Sequence, residues 1–299
     1  MCCYTSEGYK YAVGIDLVRF FDTVNHSFLL RILSRTINDG RVISLIHKYL
    51  TSGVMIGKHY EPSIEGTPQG APLSPLLSNI LLNELDKELE RRGHCFVRYA
   101  DDSMIFCKSK RAAMRVKESI TRYIENTLYL KVNKEKTVVS YVRGVKYLGY
   151  SFYVMKGKCQ LTVHPKSKAK MKSRLKELTS RSNGWGYAKR KQKLKEYIRG
   201  WVGYYHLANM KRLLLETDEW LRRRIRMCIW KAWKKAKTKV ANLIICGINK
   251  YQAYEWGNTR KGYWRIADSP ILKRAIDNNK LRSAGYATLM EAYLEWYPK

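Results

Sequence analysis

The sequence lacks the features that mark zinc-binding, disulfide-rich, secreted or membrane proteins. Its 299 residues include seven cysteines, and no two are spaced as Cys-x-x-Cys, so neither a zinc ribbon nor a disulfide framework is indicated. No run of about 18 apolar residues occurs, and no apolar segment follows Met1, so neither a membrane span nor a secretory signal is indicated. A reducing, intracellular compartment is therefore expected.

Acidic residues are also scarce. The chain has 25 Asp and Glu against 57 Lys and Arg, and a net charge of +32 is costly through self-repulsion unless a polyanion neutralises it. Aromatic residues make up 12% of the chain and lie among the basic ones, so nucleic acid is the partner that fits best and no membrane partner is indicated. A solvated basic surface, as on ribosomal proteins, explains the charge alone equally well.

Hydrophobic residues make up 45% of the chain, enough for a sizeable core. Apolar side chains alternate over residues 10–17, which predicts a strand with one buried face and with Asp16 on the opposite face. Two apolar runs flank Ala100-Asp101-Asp102, which predicts a hairpin with two carboxylates at its tip. Ser74 is expected to cap a helix that continues through residues 76–90. Other helices are predicted over residues 26–37, 41–50 and 111–128.

The composition changes sharply after the middle of the chain. Residues 166–240 contain 24 Lys and Arg and 5 Asp and Glu, so +19 of the net charge lies there. Apolar residues at helical spacing predict that this region is helical. A domain boundary near Gly157 is expected, which gives three parts: residues 1–156, residues 157–240, and an aromatic, partly helical extension over residues 241–299.

Asp101 and Asp102 are the leading candidates for chemistry. Two adjacent carboxylates between apolar strands repel each other unless a cation neutralises them, and a divalent metal ion would do so. Aspartate is also common in hairpin turns, and on the dipeptide alone an ordinary turn is the favoured interpretation. The preceding Arg98-Tyr99-Ala100 changes this balance.

The segment Tyr99-Ala100-Asp101-Asp102 resembles the acidic signature of reverse transcriptases, and further blocks of that family occur in the same order. Residues 14–26, GIDLVRFFDTVNH, resemble the block in which a strand ends at a metal-binding aspartate. Residues 66–75, GTPQGAPLSP, are similar to the block that shapes the nucleotide and template pocket. Residues 130–137 and 145–150 resemble the next block and the hairpin that grips the primer end.

The basic half is similar to the thumb and maturase region of group II intron-encoded proteins. The resemblance rests on WVGYY at 201–205, DEWLRRRIR at 218–226 and IWKAWKK at 229–235. Residues 254–265 resemble the closing segment of many bacterial members, which makes a bacterial cytoplasm the expected location. The chain is thus identified as similar to group II intron-encoded reverse transcriptases and maturases.

This resemblance implies an α+β fold, with a polymerase-type palm of antiparallel sheet backed by helices in residues 1–156 and an all-α thumb and maturase region after it. It implies an RNA-directed DNA polymerase that adds deoxynucleotides to a primer 3′-hydroxyl on an RNA template. It also implies binding of intron RNA to assist splicing and mobility. The implied catalytic residues are Asp16, Asp101 and Asp102.

The resemblance also implies roles for other individual residues of this chain. The implied metal-binding residues are Asp16, Leu17, Asp101 and Asp102; the nucleotide-binding residues are Phe21, Pro68, Gln69, Gly70 and Lys136; the primer grip is Tyr147, Leu148 and Gly149; the RNA-binding residues are Arg222, Arg223, Arg224, Arg226, Lys231, Lys234 and Lys235. Phe21 would be a steric gate against the ribose 2′-hydroxyl, or alternatively would pack in the core beside Phe20. Lys136 would face the triphosphate, or alternatively would be an ordinary surface lysine.

The resemblance implies that Asp16 and Asp101 bridge two Mg²⁺ ions about 3.5–4 Å apart, with Asp102 in electrostatic support. Mn²⁺ is an acceptable substitute. Magnesium is favoured over zinc because hard oxygen ligands converge and no His or Cys falls at metal spacing near the acids.

The chain departs from the family pattern at its start. Thirteen residues precede Gly14, where the family carries fingers, so the chain is expected to lack them and to polymerise weakly or not at all in isolation. No Cys-pair and His-Asn-His arrangement follows the basic region, so no nuclease domain is expected. Two alternatives stay open: a polymerase-inactive RNA-binding maturase fragment, and a reverse transcriptase of a CRISPR, retron or phage-defence system.

Overall fold

The computed structural model describes residues 7–56, 59–61, 63–68, 70–155 and 158–297. Two positions named above, Gln69 and Gly157, lie outside the described residues. The chain forms two compact units, the first made of Met1–Tyr147 and Ser151–Gln160 and the second of Leu148–Tyr150 and Leu161–Lys299. The division into residues 1–156, 157–240 and 241–299 stays a prediction.

The first unit is built on a four-stranded antiparallel sheet. Its strands are β1 (Tyr11–Ile15), β4 (Cys95–Tyr99), β5 (Asp102–Cys107) and β6 (Val138–Tyr141), in the order β4-β5-β1-β6. A separate hairpin joins β2 (Val54–Ile56) to β3 (His59–Glu61). β1 is a central strand, so Tyr11 is paired with Cys107 on one side and with Tyr141 on the other.

Four helices pack with this sheet in the described part of the first unit. They are α1 (His26–Leu33), α2 (Gly40–Thr51), α3 (Ser74–Arg91) and α4 (Lys110–Asn126). Every fourth residue of α3 from Leu77 to Leu89 is buried, as the leucine spacing predicts, in one hydrophobic cluster with Val13 of β1 and Ile120 of α4.

Two predicted helix limits are wrong. α1 ends at Leu33, four residues before the predicted end, and the Leu30 carbonyl accepts from both the backbone N–H and the hydroxyl of Ser34 at 2.9 Å. Ser74 is not the cap of α3 but its first residue, and Leu73 holds the cap position. The Ser74 hydroxyl donates instead to the Pro68 carbonyl at 2.6 Å, so it fixes the preceding loop.

β7 (Tyr150–Met155) and β8 (Lys158–Val163) form a two-stranded sheet, and most of it, within Ser151–Gln160, belongs to the first unit. The second unit is mainly helical. The helices are α5 (Pro165–Leu178), α6 (Tyr187–Tyr205), α7 (Lys211–Ala232), α8 (Ala236–Ile245), α9 (Lys250–Gly257), α10 (Tyr263–Ile266), α11 (Pro270–Ala275), α12 (Asn278–Ser283) and α13 (Leu289–Leu294). No helix in the described ranges is long and apolar enough to cross a lipid bilayer.

The core of the second unit draws on both the basic helices and the last sixty residues. Leu194 of α6 and Leu221 of α7 are buried in one cluster with Leu272 and Leu289. The carboxylate of Asp218, 1% exposed, accepts hydrogen bonds from the backbone N–H groups of Leu289 at 2.8 Å and Met290 at 2.9 Å. These bonds tie the first turn of α13 to α7.

Candidate functional site

Asp101 and Asp102 lie at the tip of the hairpin formed by β4 and β5. Tyr99 pairs with Asp102 across the hairpin, so the turn consists of Ala100 and Asp101. Ala100 has φ 53, in the left-handed region that tight two-residue hairpin turns require and that costs a residue with a side chain some strain. Asp101 and Asp102 are both exposed at this tip, where the sequence predicts them.

The register of the sheet brings Asp16 to the same end. Ile15 at the end of β1 pairs with Ser103 of β5, so the next residues along the two strands, Asp16 and Asp102, stand opposite each other. The Asp16 backbone is fixed from a third segment, because its N–H donates to Thr137 Oγ1 at 3.2 Å and its carbonyl accepts from the Asn133 N–H at 2.8 Å. All three carboxylates therefore share one edge of the sheet.

The surroundings of Asp102 disfavour its charged form. Partial burial, followed by the charges of Asp101 and Asp16, raises the pKa of the Asp102 carboxyl, and Lys146 opposes the rise. Negative charge at this edge is thus incompletely neutralised by the protein, which is what a site for a cation requires. Lys136 supplies part of the positive charge, with its Nζ 3.6 Å from Asp16 Oδ2.

The side chains are not arranged around one ion. Within the described ranges, no group of three or more His, Cys, Asp or Glu side chains has the geometry to hold a metal ion. Asp16 is directed toward Lys136. Leu17, the other residue implied at the metal, is buried and forms a bridge with Val132 that holds the chain after Asp16 in place.

The loop before α3 is docked on the short 3₁₀ turn Phe20–Asp22. The Thr67 N–H donates to the Phe21 carbonyl at 2.5 Å, and the Gly66 N–H donates to the Val24 carbonyl at 2.8 Å. Gly66 has φ 88, and a Cβ there would lie 2.7 Å from the Phe21 carbonyl oxygen, so the close approach requires glycine. The backbones of Phe21 and of the residue before Pro68 are therefore held in contact.

His26 locks this loop, and sequence reasoning missed that role. It is the first residue of α1 and is buried. Its Nε2 lies 2.5 Å from the Gly66 carbonyl oxygen. Its place at the end of the first family block was the only signal.

The two phenylalanines of the first block have different surroundings. Phe20 is 4% exposed and belongs to the core, whereas Phe21 is half-buried with its ring 5.3 Å from that of Phe20.

Two other residues implied in nucleotide binding have open surroundings. Gly70 has φ 82 and open space where a Cβ would be. Lys136 has a side chain that is 70% exposed.

Arg98 holds the acidic turn, and sequence reasoning did not assign it this role. Its Nε and Nη2 donate to the Asp86 carboxylate of α3 at 2.8 and 2.5 Å. Its Nη1 donates to Asn79 Oδ1 and to the Ala100 carbonyl, both at 3.0 Å. The signal available was the spacing of Asn79 and Asp86, which are seven residues apart on one face of a predicted helix.

The residues implied in the primer grip form a tight turn. Leu148 and Gly149 have φ 49 and φ 80. In the second unit, the Gly149 carbonyl accepts from the His164 N–H at 3.0 Å and the Leu148 carbonyl accepts from the Tyr204 hydroxyl at 3.0 Å. In the first unit, partial burial and then the charge of Asp102 raise the pKa of Tyr147, and Arg98 opposes the rise.

Four of the seven residues implied in RNA binding make internal contacts. Arg226 is 6% exposed and donates to the Ile276 carbonyl at 2.8 Å and to Asn278 Oδ1 at 2.9 Å. Arg224 donates to Thr179 Oγ1 at 2.6 Å, and burial lowers its pKa. Further contacts join Arg223 Nη2 to the Trp264 carbonyl at 3.0 Å and Lys231 Nζ to the Arg181 carbonyl at 2.6 Å.

The other three are less constrained. Lys234 and Lys235 follow α7 and are exposed. Arg222 is half-buried and has no hydrogen-bond or ion-pair partner within the part of the chain that the structure describes.

An antiparallel sheet with carboxylates at one edge, followed by a helical unit, is the palm-and-thumb architecture of a polymerase, so the predicted α+β fold class is confirmed. A family model described as reverse transcriptase (RNA-dependent DNA polymerase) matches residues 2–152. A second, described as the maturase-specific domain of group II introns, matches residues 168–244. The chain belongs to the group II intron-encoded reverse transcriptases.

The chain is also similar to two curated proteins and one solved structure. Protein YkfC of Escherichia coli strain K12 is 29% identical, in a match that covers 50% of this chain and 48% of YkfC. The group II intron-encoded protein LtrA of Lactococcus lactis subsp. cremoris is 26% identical, covering 49% of this chain and 35% of LtrA. The telomerase of Candida albicans, solved with a fragment of telomeric RNA, is 12% identical with a TM-score of 0.44, covering 84% of this chain and 50% of that one.

The chain thus spans half or less of the length of the curated relatives named here. Membership in the family implies dependence on a divalent metal in general, and the maturase-specific match supports RNA binding. Neither the fragment alternative nor the defence-system alternative is favoured by these matches.

Proposed function

We propose that this protein is an RNA-directed DNA polymerase and intron maturase of the bacterial cytoplasm. It extends a DNA primer with deoxynucleotides on an RNA template, and it binds intron RNA to assist splicing and mobility. The observation that carries the polymerase part is the meeting of Asp16, Asp101 and Asp102 at one edge of the sheet, in a chain that matches both family models.

The donor set at this edge fits Mg²⁺. Carboxylate oxygens are the hard ligands that Mg²⁺ prefers, and the raised pKa of Asp102 reflects negative charge that a cation would neutralise. Asp16, Asp101 and Asp102, with Leu17 beside Asp16, would hold two Mg²⁺ ions, and Mn²⁺ suits the same oxygens. When bound, such ions activate the primer hydroxyl and neutralise the triphosphate and the leaving pyrophosphate.

In this proposal the Lys136 side chain contacts two different groups in turn, the Asp16 carboxylate and the triphosphate. Its ammonium group beside Asp16 stands in for part of the positive charge of the metal. Because its side chain is largely exposed, it is free to turn to the triphosphate when a nucleotide and metal ions bind.

Phe21, Pro68, Gln69 and Gly70 would form the pocket for the incoming nucleotide. Support comes from the docking of the loop on the turn that carries Phe21. Because Phe20 already fills the core position, the half-buried Phe21 is the ring available as a steric gate against the ribose 2′-hydroxyl.

The residues proposed for RNA binding fall into two groups, those that would contact the RNA and those that would hold the helices in place. Lys234, Lys235 and Arg222 have side chains available for phosphates, and Tyr147, Leu148 and Gly149 would support the primer end. Arg223, Arg224 and Lys231 would act mainly by holding the helices that present these groups, because their donors are engaged internally. Arg226 is anchored in the same way, but only through Nε and Nη2.

Primer extension on an RNA template tests the proposal. The purified chain should extend a DNA primer, though only weakly, with Mg²⁺ or Mn²⁺, and Asp101→Asn should lower the rate at least a thousandfold, roughly the loss expected when a main electrostatic contribution is removed. Affinity for structured RNA should be unchanged in this variant. Absence of extension by the unaltered chain with either metal would contradict the polymerase part and leave an RNA-binding maturase.

A further inference from the structure

A cleft of about 630 Å³ in the second unit is not used by the polymerase chemistry. One wall is α7, which contributes Trp220, Arg222 and Arg226, and the other wall is formed by α10 to α12 with Trp264. The volume lies within the range of about 300–1,000 Å³ typical of small-ligand sites.

The carboxylates around this cleft are mostly engaged. Asp268 accepts from Arg223 at 3.2 Å and from Lys273 at 2.8 Å. Asp277 caps α12 by accepting from the Lys280 N–H at 2.7 Å. Further hydrogen bonds take up Glu216, through Arg212, and Asp218, through the backbone of α13.

Two arginines in the cleft keep positive charge without a carboxylate partner. Arg226 uses Nε and Nη2 on a carbonyl and an amide oxygen, and its Nη1 has no hydrogen-bond partner among the described residues. Arg222 likewise has none in the described ranges. Burial and then the charge of Arg222 lower the pKa of Arg226, and Asp268 and Asp277 oppose the decrease, so the two guanidinium groups, one turn apart on α7, repel each other. An anion between them would relieve that repulsion.

Two tryptophan rings line the same cleft and are held in position. The Arg223 guanidinium lies 3.9 Å from the centroid of the Trp264 ring and also donates to the Trp264 carbonyl. Arg224 lies 5.3 Å from the Trp220 ring. Glu219, exposed beside them, forms no ion pair within the described ranges. Aromatic rings beside unpaired guanidinium groups suit a base with its phosphate.

We propose that this cleft binds one unpaired nucleotide of an RNA. The phosphate lies between Arg222 and Nη1 of Arg226, the base stacks on Trp264 or Trp220, and Glu219 accepts hydrogen bonds from base N–H or ribose hydroxyl groups. The inference rests on the proposed RNA binding and deepens it, because it makes an unstacked nucleotide, rather than duplex charge alone, the feature that is recognised.

The test compares two hairpin RNAs of equal length, one with a fully paired stem and one with a single bulged nucleotide, by fluorescence anisotropy at fixed salt. The unaltered chain should prefer the bulged RNA. Arg222→Ala should weaken binding of the bulged RNA by about tenfold and remove most of the preference, and Trp264→Leu should do the same through lost stacking. The matched control is Arg274→Ala, an exposed cation on α11 outside the cleft, which should weaken both RNAs slightly and equally.

Each result has one meaning. Equal affinity of the unaltered chain for the two RNAs, or equal losses in Arg222→Ala and Arg274→Ala, overturns the nucleotide cleft and leaves general RNA binding intact. Failure to bind either RNA overturns the proposed RNA binding itself. Thermal unfolding checks the variants, and if Trp264→Leu unfolds, Arg222→Ala decides alone, because its loss breaks no hydrogen bond or ion pair among the described residues and removes only a charge that acts on Asp218.

Discussion

Substitutions at Arg98 and Asp86 test how the acidic turn is held. The two side chains are only 12% and 19% exposed, and they form a forked ion pair. Asp86→Asn keeps the shape and removes the charge, which leaves a nearly buried guanidinium without a counter-charge. Such a loss costs about 3–5 kcal/mol when both groups are fully buried, so with the remaining solvent contact we expect about 2–4 kcal/mol in urea unfolding.

The same network predicts a separable effect on the reaction. Arg98→Lys keeps the charge but cannot make the fork to Asp86 and also hold the Ala100 carbonyl. Because Ala100 precedes Asp101 in a strained turn, the carboxylates should be less well positioned, and small displacements of reacting groups cost up to about a hundredfold in rate. Single-nucleotide addition should therefore show kcat reduced by about tenfold or more, with an unchanged KM for the deoxynucleotide.

The control is Arg35→Ala, which removes an ion pair to Glu84 on α3 from a side chain that is 54% exposed. Exposed pairs contribute less than about 1 kcal/mol, so stability and kcat should both stay near those of the unaltered chain. The reasoning is refuted if Asp86→Asn is no more destabilising than Arg35→Ala, or if Arg98→Lys keeps full kcat.

Four further substitutions give measurable outcomes. Gly66→Ala should lower the free energy of unfolding in urea by about 2–4 kcal/mol and raise the KM for deoxynucleotides. The control is Gly70→Ala, which has a similar φ but open space and should cost only about 1 kcal/mol of backbone strain. Equal costs would show that the loop is not docked as described. The raised pKa of Asp102 means that its contribution to stability is present below its unfolded pKa of about 3.9 and is lost as pH rises through the folded value. Asp102→Asn should therefore be more stable than the unaltered chain at pH 7 without metal, by less than about 1 kcal/mol, and equally stable near pH 4. Mg²⁺ should stabilise the variant less than it stabilises the unaltered chain. A variant that is less stable at pH 7 would contradict this account. Asp218→Asn should lower the free energy of unfolding by about 1–3 kcal/mol, because an amide cannot accept from both Leu289 and Met290, and an unchanged denaturation midpoint would contradict that account.

Local patterns predicted the sheet edge that carries the acids. The alternation ending at Asp16 and the hairpin signal around Asp101 each depend on a few neighbouring residues, and antiparallel pairing of short apolar strands joins them. The support of that edge could not be predicted in the same way. Asp86 is an ordinary polar position on its helix, and only the folded chain shows that Arg98 reaches it.

The basic half shows a different limit of sequence reasoning. A run such as Arg222-Arg223-Arg224 is typical of a solvated face, and the apolar stripe through Leu221 and Ile225 predicts only one buried side of α7. Residues 243–293 cover another side, so Asp218 and Arg226 are buried although both are charged. Their partners lie fifty or more residues away, and all but the Asn278 side chain are backbone groups, which leave no trace in composition or periodicity.

The bond between Asp218 and the start of α13 matters to anyone who transplants this segment onto another enzyme. A graft cut where the maturase-specific match stops, at residue 244, would leave the Asp218 carboxylate without its donors and would bare the apolar surface that Leu272 and Leu289 cover. The exposed apolar surface would make the graft aggregate and lower its solubility, independently of its RNA contacts. A segment that folds after transfer therefore has to extend to Tyr293 at least, well past the end of the maturase-specific match.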